Sequence, residues 1–152
     1  MVQVERFLGK YGGPVFTVSP ETSIAECARR FGRLTGGKRY SVAVVTDADE
    51  RVVGIVSLGD VVHALGLHEE KTAQMNVGDI MTTDVYTCSL SDLLENVLKD
   101  MAERGIRHCP VVNDGKLAGL VARREALEFL YQWAQLDVDN LTGWLFSSHA
   151  RY

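Results

Sequence analysis

The sequence predicts an α+β protein in which two β-α-β-β-α repeats pack against each other about a pseudo-twofold axis. Three internal echoes carry that expectation. Val15-Phe16-Thr17-Val18-Ser19 returns as Val85-Tyr86-Thr87-Cys88-Ser89, 70 positions on. Val44-Val45-Thr46-Asp47 returns as Val111-Val112-Asn113-Asp114 after 67, and Gly54-Ile55-Val56 returns as Gly119-Leu120-Val121 after 65. Self-similarity over tens of residues marks a duplicated structural unit. The shrinking offset puts three extra residues of the first copy near Thr35–Lys38 and two more in the Asp47–Glu50 turn. Loops are where two copies of one unit tolerate insertions.

Each element follows from its local residues. A short strand (Val15–Val18; Val85–Cys88) precedes cap-rich stretches, Pro20-Glu21-Thr22-Ser23 and Ser91-Asp92. Ser, Thr and Asp there accept hydrogen bonds from the free N–H groups of a helix start. Ile24, Cys27, Ala28 and Phe31 then fall at helical spacing, as do Leu93, Leu94, Val97, Leu98 and Met101. Asp92 with Glu95 reads as a capping box. Gly32 and Gly36-Gly37, or Gly105, end these helices. Two strands follow in each copy, Ser41–Val45 with Val52–Val56 and Pro110–Val112 with Leu117–Val121. Their turns, Asp47-Ala48-Asp49-Glu50 and Asn113-Asp114-Gly115, have hairpin composition. Closing helices cover Gly59–Leu67 and Arg124–Leu136. The repeats thus occupy 13–67 and 79–135, joined by a linker near His68–Asn76. A helical tail, 136–152, lies outside them; Leu141, Trp144, Leu145 and Phe146 recur there at helical spacing and call for docking, together with Trp133, on a second subunit or on the chain itself. One unit of roughly 55 residues buries too little to be stable alone, so the copies are expected to stack and to enclose clefts suited to small ligands.

Composition narrows the function. The chain has 152 residues, 46% hydrophobic and 24% charged, which excludes a disordered polymer. Its net charge of -4 argues against a nucleic-acid partner, whose footprint is basic. Cys27, Cys88 and Cys109 are odd in number and widely spaced, so neither a disulfide framework nor a metal site is expected, and they read as small core hydrophobes. The apolar region Val52–Leu67 is broken by Asp60 and His63 and is too short to span a bilayer. Arg6 and Lys10 interrupt any leader-like apolar run at the N-terminus. A cytoplasmic protein with no membrane partner is expected. Gly12-Gly13 and Gly36-Gly37 are pairs rather than a G-x-G-x-x-G loop, and no Ser/His/Asp order or metal spacing is present. The expectation is therefore no enzyme, no catalytic residue, no metal and no required cofactor.

Ser57-x-x-Asp60 sits where a strand hands over to a helix. A helix N-terminus offers free N–H groups and positive dipole to a phosphate, and a carboxylate three residues on can accept from both hydroxyls of a ribose. The same spacing also describes an ordinary helix cap, and the residues alone leave both readings open. Copy two carries Ala122 and Glu125 at these positions, which makes its cleft a poorer nucleotide site. Arg107 and His108, just ahead of a strand of copy two, read either as solvated surface or as phosphate ligands.

Asp79-Ile80-Met81-Thr82 leading into Val85, Ile106-Arg107-His108-Cys109-Pro110-Val111-Val112, and Gly54-Ile55-Val56-Ser57-Leu58-Gly59-Asp60 together resemble a tandem pair of cystathionine β-synthase (CBS) domains of the small stand-alone type. The resemblance covers about residues 13–135. It implies a non-catalytic regulatory sensor module that binds an adenine nucleotide (AMP, ATP or NAD type) between its repeats, with one main site per chain. It implies that Asp60 binds the ribose beside Ser57, that Arg107 and His108 reach across to the phosphate, and that Phe16, Thr17 and Ile55 belong to the adenine slot, with Val15 and Ala43 nearby. Arg39 would serve the other cleft. A homodimer and an unknown regulated protein are the further partners it implies. The rival expectation is a dimerising interaction scaffold that binds no nucleotide.

Overall fold

The computed structural model describes residues 1–33 and 39–148, and within the last helix the side chains of 141 and 143–148 are outside the described set. The expected features at Thr35–Lys38, Gly36-Gly37, Leu141, Trp144, Leu145 and Phe146 lie outside the described residues. The elements run α1 (Val4–Tyr11), β1 (Thr17–Val18), α2 (Ile24–Gly32), β2 (Val42–Thr46), β3 (Val52–Ser57) and α3 (Leu58–His68), then a 3₁₀ turn over Glu69–Gln74. They continue with α4 (Val77–Ile80), β4 (Cys88–Ser89), α5 (Leu94–Glu103), β5 (His108–Asn113), β6 (Lys116–Ala122) and α6 (Arg123–Ser148). Each copy makes one three-stranded sheet, β1-β2-β3 or β4-β5-β6. In both, the outer pair is parallel and the hairpin antiparallel. The expected β-α-β-β-α order is present twice.

Register corrects the sequence alignment by one residue. Val45 faces Gly54 and Val111 faces Gly119, and each pair is followed by an irregularity in the ladder. Val45, not Val44, is thus the counterpart of Val111. The first copy accordingly carries one more of its extra residues before β2 and one fewer in the hairpin turn. The second hairpin turns through Asp114 and Gly115 with φ of 49° and 77°, the two left-handed positions that a two-residue hairpin turn requires.

Two cores form, and each borrows from the other copy. Ile24, Cys27 and Phe31 of α2 meet Phe16, Val45, Val56 and Val61, but Val77 of α4 is buried among them. Leu94, Val97, Leu98 and Met101 of α5 meet Cys109, Val111, Val121 and Phe129, joined by Val2, Val4 and Phe7 from the chain's beginning. Main-chain bonds fix both exchanges in the same way. Val4 N–H donates to Asp92 O at 2.9 Å and Leu94 N–H to Val2 O at 2.8 Å. Val77 N–H donates to Thr22 O at 2.8 Å and Ile24 N–H to Met75 O at 3.1 Å. The glycines opposite the two valines make room: a Cβ on Gly54 would lie 2.5 Å from Met81 Sδ and 3.1 Å from Thr82 O, and one on Gly119 would lie 2.7 Å from Leu8 Cδ1.

These straps explain where the sequence reading and the structure differ. The capping box expected at Asp92/Glu95 does not form. Glu95 instead accepts from the Val2 main-chain N–H at 3.2 Å, Asp92 accepts from Ser89 N–H at 2.8 Å, and Leu93 is the residue preceding α5. The strap takes the carboxylate that a cap would have used. Helix α1 itself, with Val4 and Phe7 buried, is an element additional to the repeats. Helix α6 continues unbroken through the boundary expected at Leu136.

Phe7 is fully buried, stacks on Tyr11 at 5.4 Å and meets the edge of Phe129 at 5.7 Å. Phe7→Ala should therefore cost about 3–5 kcal/mol, measured by urea denaturation. A loss below about 1 kcal/mol would show that α1 is not part of the second copy's core.

Candidate functional site

Both closing helices start directly from a hairpin strand, and a main-chain bond ties each start to the residue before the neighbouring strand. Leu58 N–H donates to Ser41 O and Arg123 N–H donates to Arg107 O, both at 2.9 Å. Each helix N-terminus is thereby held beside the entrance of its own sheet. Copy one satisfies its start with side chains. Ser57 Oγ accepts from Asp60 N–H at 3.1 Å, while Asp60 Oδ2 accepts from Ser57 N–H at 2.7 Å and from Ser57 Oγ–H at 2.8 Å. This reciprocal capping box is the plainer of the two readings of Ser57-x-x-Asp60. Asp60 is half-buried, and among the described residues its Oδ1 takes no hydrogen bond.

Copy two cannot do the same, because Ala122 has no hydroxyl. Glu125 instead borders a cavity of about 270 Å³ built from both repeats. Tyr11, the run Gly12 to Phe16 and Arg39 to Val42 come from the first part of the chain; His108, Leu120, Ala122 and Glu125 come from the second. Phe16 and Tyr40 form an aromatic wall, with ring centroids 5.3 Å apart and planes inclined by 42°. A flat apolar face, one guanidinium and one carboxylate thus converge on a recess at the junction of the copies, a composition typical of small-molecule sites.

The expected ligand residues divide among different places. Phe16 and His108 line the cavity. Thr17 is absent from that lining; it borders a second hollow that Phe16 and Tyr40 also line, together with Arg30, whose Nη2 donates to Thr17 O at 2.9 Å. Ile55 exchanges both main-chain bonds with Thr82, at 3.0 and 2.9 Å. Ser57 and Asp60 cap α3. Arg107 precedes β5, and among the described residues it makes no ion pair with Asp60. Arg39, named for the other cleft, is on the cavity. Tyr11 and Gly12-Gly13-Pro14 were not anticipated as cavity residues; their signal was a Gly-Gly-Pro run leading into a strand, which reads equally as a plain loop.

Burial holds the His108 imidazole below its usual range, and the Arg107 guanidinium adds to the shift. The ring is therefore neutral near pH 7, so any added positive charge on the cleft requires a lower pH than for an exposed histidine. All three cysteines are buried. A hydrogen bond with Cys88, then burial, pushes the Cys109 thiol up, and burial does the same to Cys27. Both are packing residues, protonated at neutral pH. Among the described residues there is no group of three or more His, Cys, Asp or Glu able to hold a metal, and no helix long and apolar enough to cross a membrane.

Two stacked α+β repeats with a recess between them define the architecture of the module. The family model for the CBS domain matches residues 12–67 and again 77–132, and the chain belongs to that family as a tandem pair. A 17.7 kDa protein of Acidianus ambivalens is 32% identical over 112 residues, 73% of this chain and 64% of its own length. The meiotically up-regulated gene 70 protein of Schizosaccharomyces pombe is 31% identical over 105 residues, 67% of this chain and 13% of its own length. The chain thus spans less than two thirds of these curated relatives. Among solved structures, a CBS-domain-containing protein from Agrobacterium tumefaciens superposes with a TM-score of 0.72 at 31% identity, covering 84% of this chain and 98% of its own. The CBS domain pair of protein MJ0100, solved with 5′-methylthioadenosine and S-adenosyl-L-methionine, shares the fold with a TM-score of 0.72 at 22% identity, over 87% of this chain and 98% of its own. CBS-domain pairs are regulatory modules.

Two measurements check the local chemistry. Ser57→Ala removes the cap and should cost about 0.5–2 kcal/mol, read by thermal or urea unfolding; no loss would mean that the box contributes nothing. For His108 the folded-state pKa is lowered, so below the ordinary value of about 6.5 the unfolded chain binds the proton first and stability falls as pH drops. An NMR titration should place the His108 midpoint below the ordinary value of about 6.5, and His108→Gln should flatten the loss of stability as pH falls below that value. A midpoint at or above 6.5 would contradict the burial argument.

Proposed function

We propose that this chain is a non-catalytic regulatory module that binds one adenine nucleotide, of AMP, ATP or NAD type, in a cleft between its repeats, and that it acts as a homodimer on a regulated protein. The observation that carries the reading is the recess to which both copies contribute walls at the start of a closing helix, with aromatic, cationic and carboxylate groups around it. Its pseudo-twofold mate lies at Ser57 and Asp60. We assign the main site to that mate, because Asp60 is one methylene shorter than Glu125, is fixed by Ser57 and retains Oδ1 for ribose hydroxyls. Ile55 stands beside it on β3. Arg107 supplies a bidentate grip for phosphate. Phe16, Tyr40, Arg39 and His108, neutral at pH 7, serve the second recess. The solved complex of MJ0100 with two adenosyl compounds supports the ligand class. Exposed apolar side chains on two helices, Val62 at 61% and Tyr131 at 71%, support a second copy as partner.

The test is a thermal-shift series with AMP, ATP, NAD, S-adenosylmethionine and 5′-methylthioadenosine. A ligand at a hundred times its dissociation constant stabilises by about 2.7 kcal/mol. Asp60→Ala should abolish the shift with the apo protein still folded, and Glu125→Ala should keep it. Loss with Glu125→Ala alone would move the site to the other recess. A flat response to every compound favours the scaffold reading, which the self-satisfied Ser57–Asp60 box and the missing hydroxyl at Ala122 suggest on their own.

A further inference from the structure

Helix α6 is 26 residues long, about 39 Å at the usual rise. Its first half is held by the body: Ala126 and Phe129 are buried, and Leu130 and Trp133 pack against the same core. Beyond that point every described residue from Ala134 to Asn140 is exposed. An isolated helical segment of that length is marginal in water. It needs a surface to lie on.

The residues facing away from the body show which surface. Leu127, Tyr131, Ala134 and Val138 follow one another at spacings of four, three and four, and Leu141 and Leu145 continue the same alternation in the sequence. This is a heptad seam, with Tyr131, Val138 and Leu145 at a positions and Leu127, Ala134 and Leu141 at d. Among the described members, Leu127 is 55%, Tyr131 71% and Val138 53% exposed, and Ala134 is exposed as well. The stripe is distinct from the one facing the core: Leu136, exposed at 58%, lies off it, beside Trp133 and Arg6.

We infer that α6 of one copy pairs with α6 of a second copy in a parallel two-stranded coiled coil along this seam. The inference rests on the homodimer reading above and deepens it by naming the contact. Three features select a second copy as occupant. A heptad seam is self-complementary, because each a or d side chain fits a hole made by the same positions of a like helix. A β-branched residue at a with leucine at d, as Val138 and Leu127 supply, favours two strands. In the parallel arrangement the flanking pairs are Leu130 with Gln135 and Asp137 with Thr142, so no like charges oppose each other across the seam. The seam also starts on the folded body at Leu127 and Tyr131, so the helices are anchored before they project.

The full chain is examined by sedimentation equilibrium and by oxidative cross-linking. The wild type should sediment as a dimer, and Val138→Glu as a monomer that gives the same thermal response to added AMP, ATP or NAD as the wild type. Val138→Cys should form an inter-chain disulfide on mild oxidation at least tenfold faster than Asp139→Cys, one position off the seam, while the three native cysteines stay buried and reduced. A dimeric Val138→Glu, or equal cross-linking at the two positions, overturns the seam and leaves the homodimer standing. A monomeric wild type overturns both.

Discussion

The structure depends on a reciprocal exchange of short apolar segments between the two copies. Residues ahead of the first repeat, Val2, Val4 and Phe7, complete the core of the second, and Val77, ahead of the second repeat, completes the core of the first. Each segment is held by the same pair of main-chain bonds at the start of a repeat helix. Neither copy can close its core from its own continuous sequence. The cost of ordering each strap is offset by apolar burial in the other copy, at about 25 cal/mol per Å² removed from water. Stability is therefore a property of the pair.

The clefts inherit their shape from this exchange. Tyr11 ends α1, stacks on Phe7 in the second core, and also borders the inter-repeat recess that Gly12 to Phe16 continues. A ligand there would touch the segment that joins the strap to the first sheet. Within β3, Ile55 exchanges main-chain bonds with Thr82 ahead of β4, and Leu117 N–H donates to Glu50 O from hairpin to hairpin at 2.9 Å. The two helix starts differ at two positions. With Ser57 present, Asp60 is drawn into a cap; with Ala122 and the longer Glu125 in their places, the carboxylate borders the recess instead.

Much of this was legible in the sequence, and the misses have physical causes. Strands, turns and helices of the repeats follow from local spacing and turn chemistry, so Ile24, Cys27 and Phe31 or Leu94, Val97 and Met101 declare their faces unaided. The straps do not, because their partners lie about ninety residues away for Val2 and Val4 and more than fifty for Met75 and Val77; Val4, Phe7, Leu8 and Tyr11 have helical spacing, yet nothing local says which core they enter. The same distance hid the role of Glu95, which a capping rule assigns to its own helix and the structure gives to Val2. The one-residue alignment error at Val45 arose because valine runs are self-similar, whereas the glycine opposite is not. At the site, Phe16 and Thr17 share one hollow, but of the two only Phe16 lines the inter-repeat recess. Ser57 and Asp60 were legible in both their meanings, and the capping geometry is the one observed.

Hydrogen exchange of backbone amides tests the mutual completion of the cores most directly. Amides of β2 and β3 in the first copy and of β5 and β6 in the second should share one opening free energy, falling together as urea is added. Should one sheet exchange through its own, lower-energy opening while the other stays protected, the copies would be independent units and the exchanged straps mere contacts.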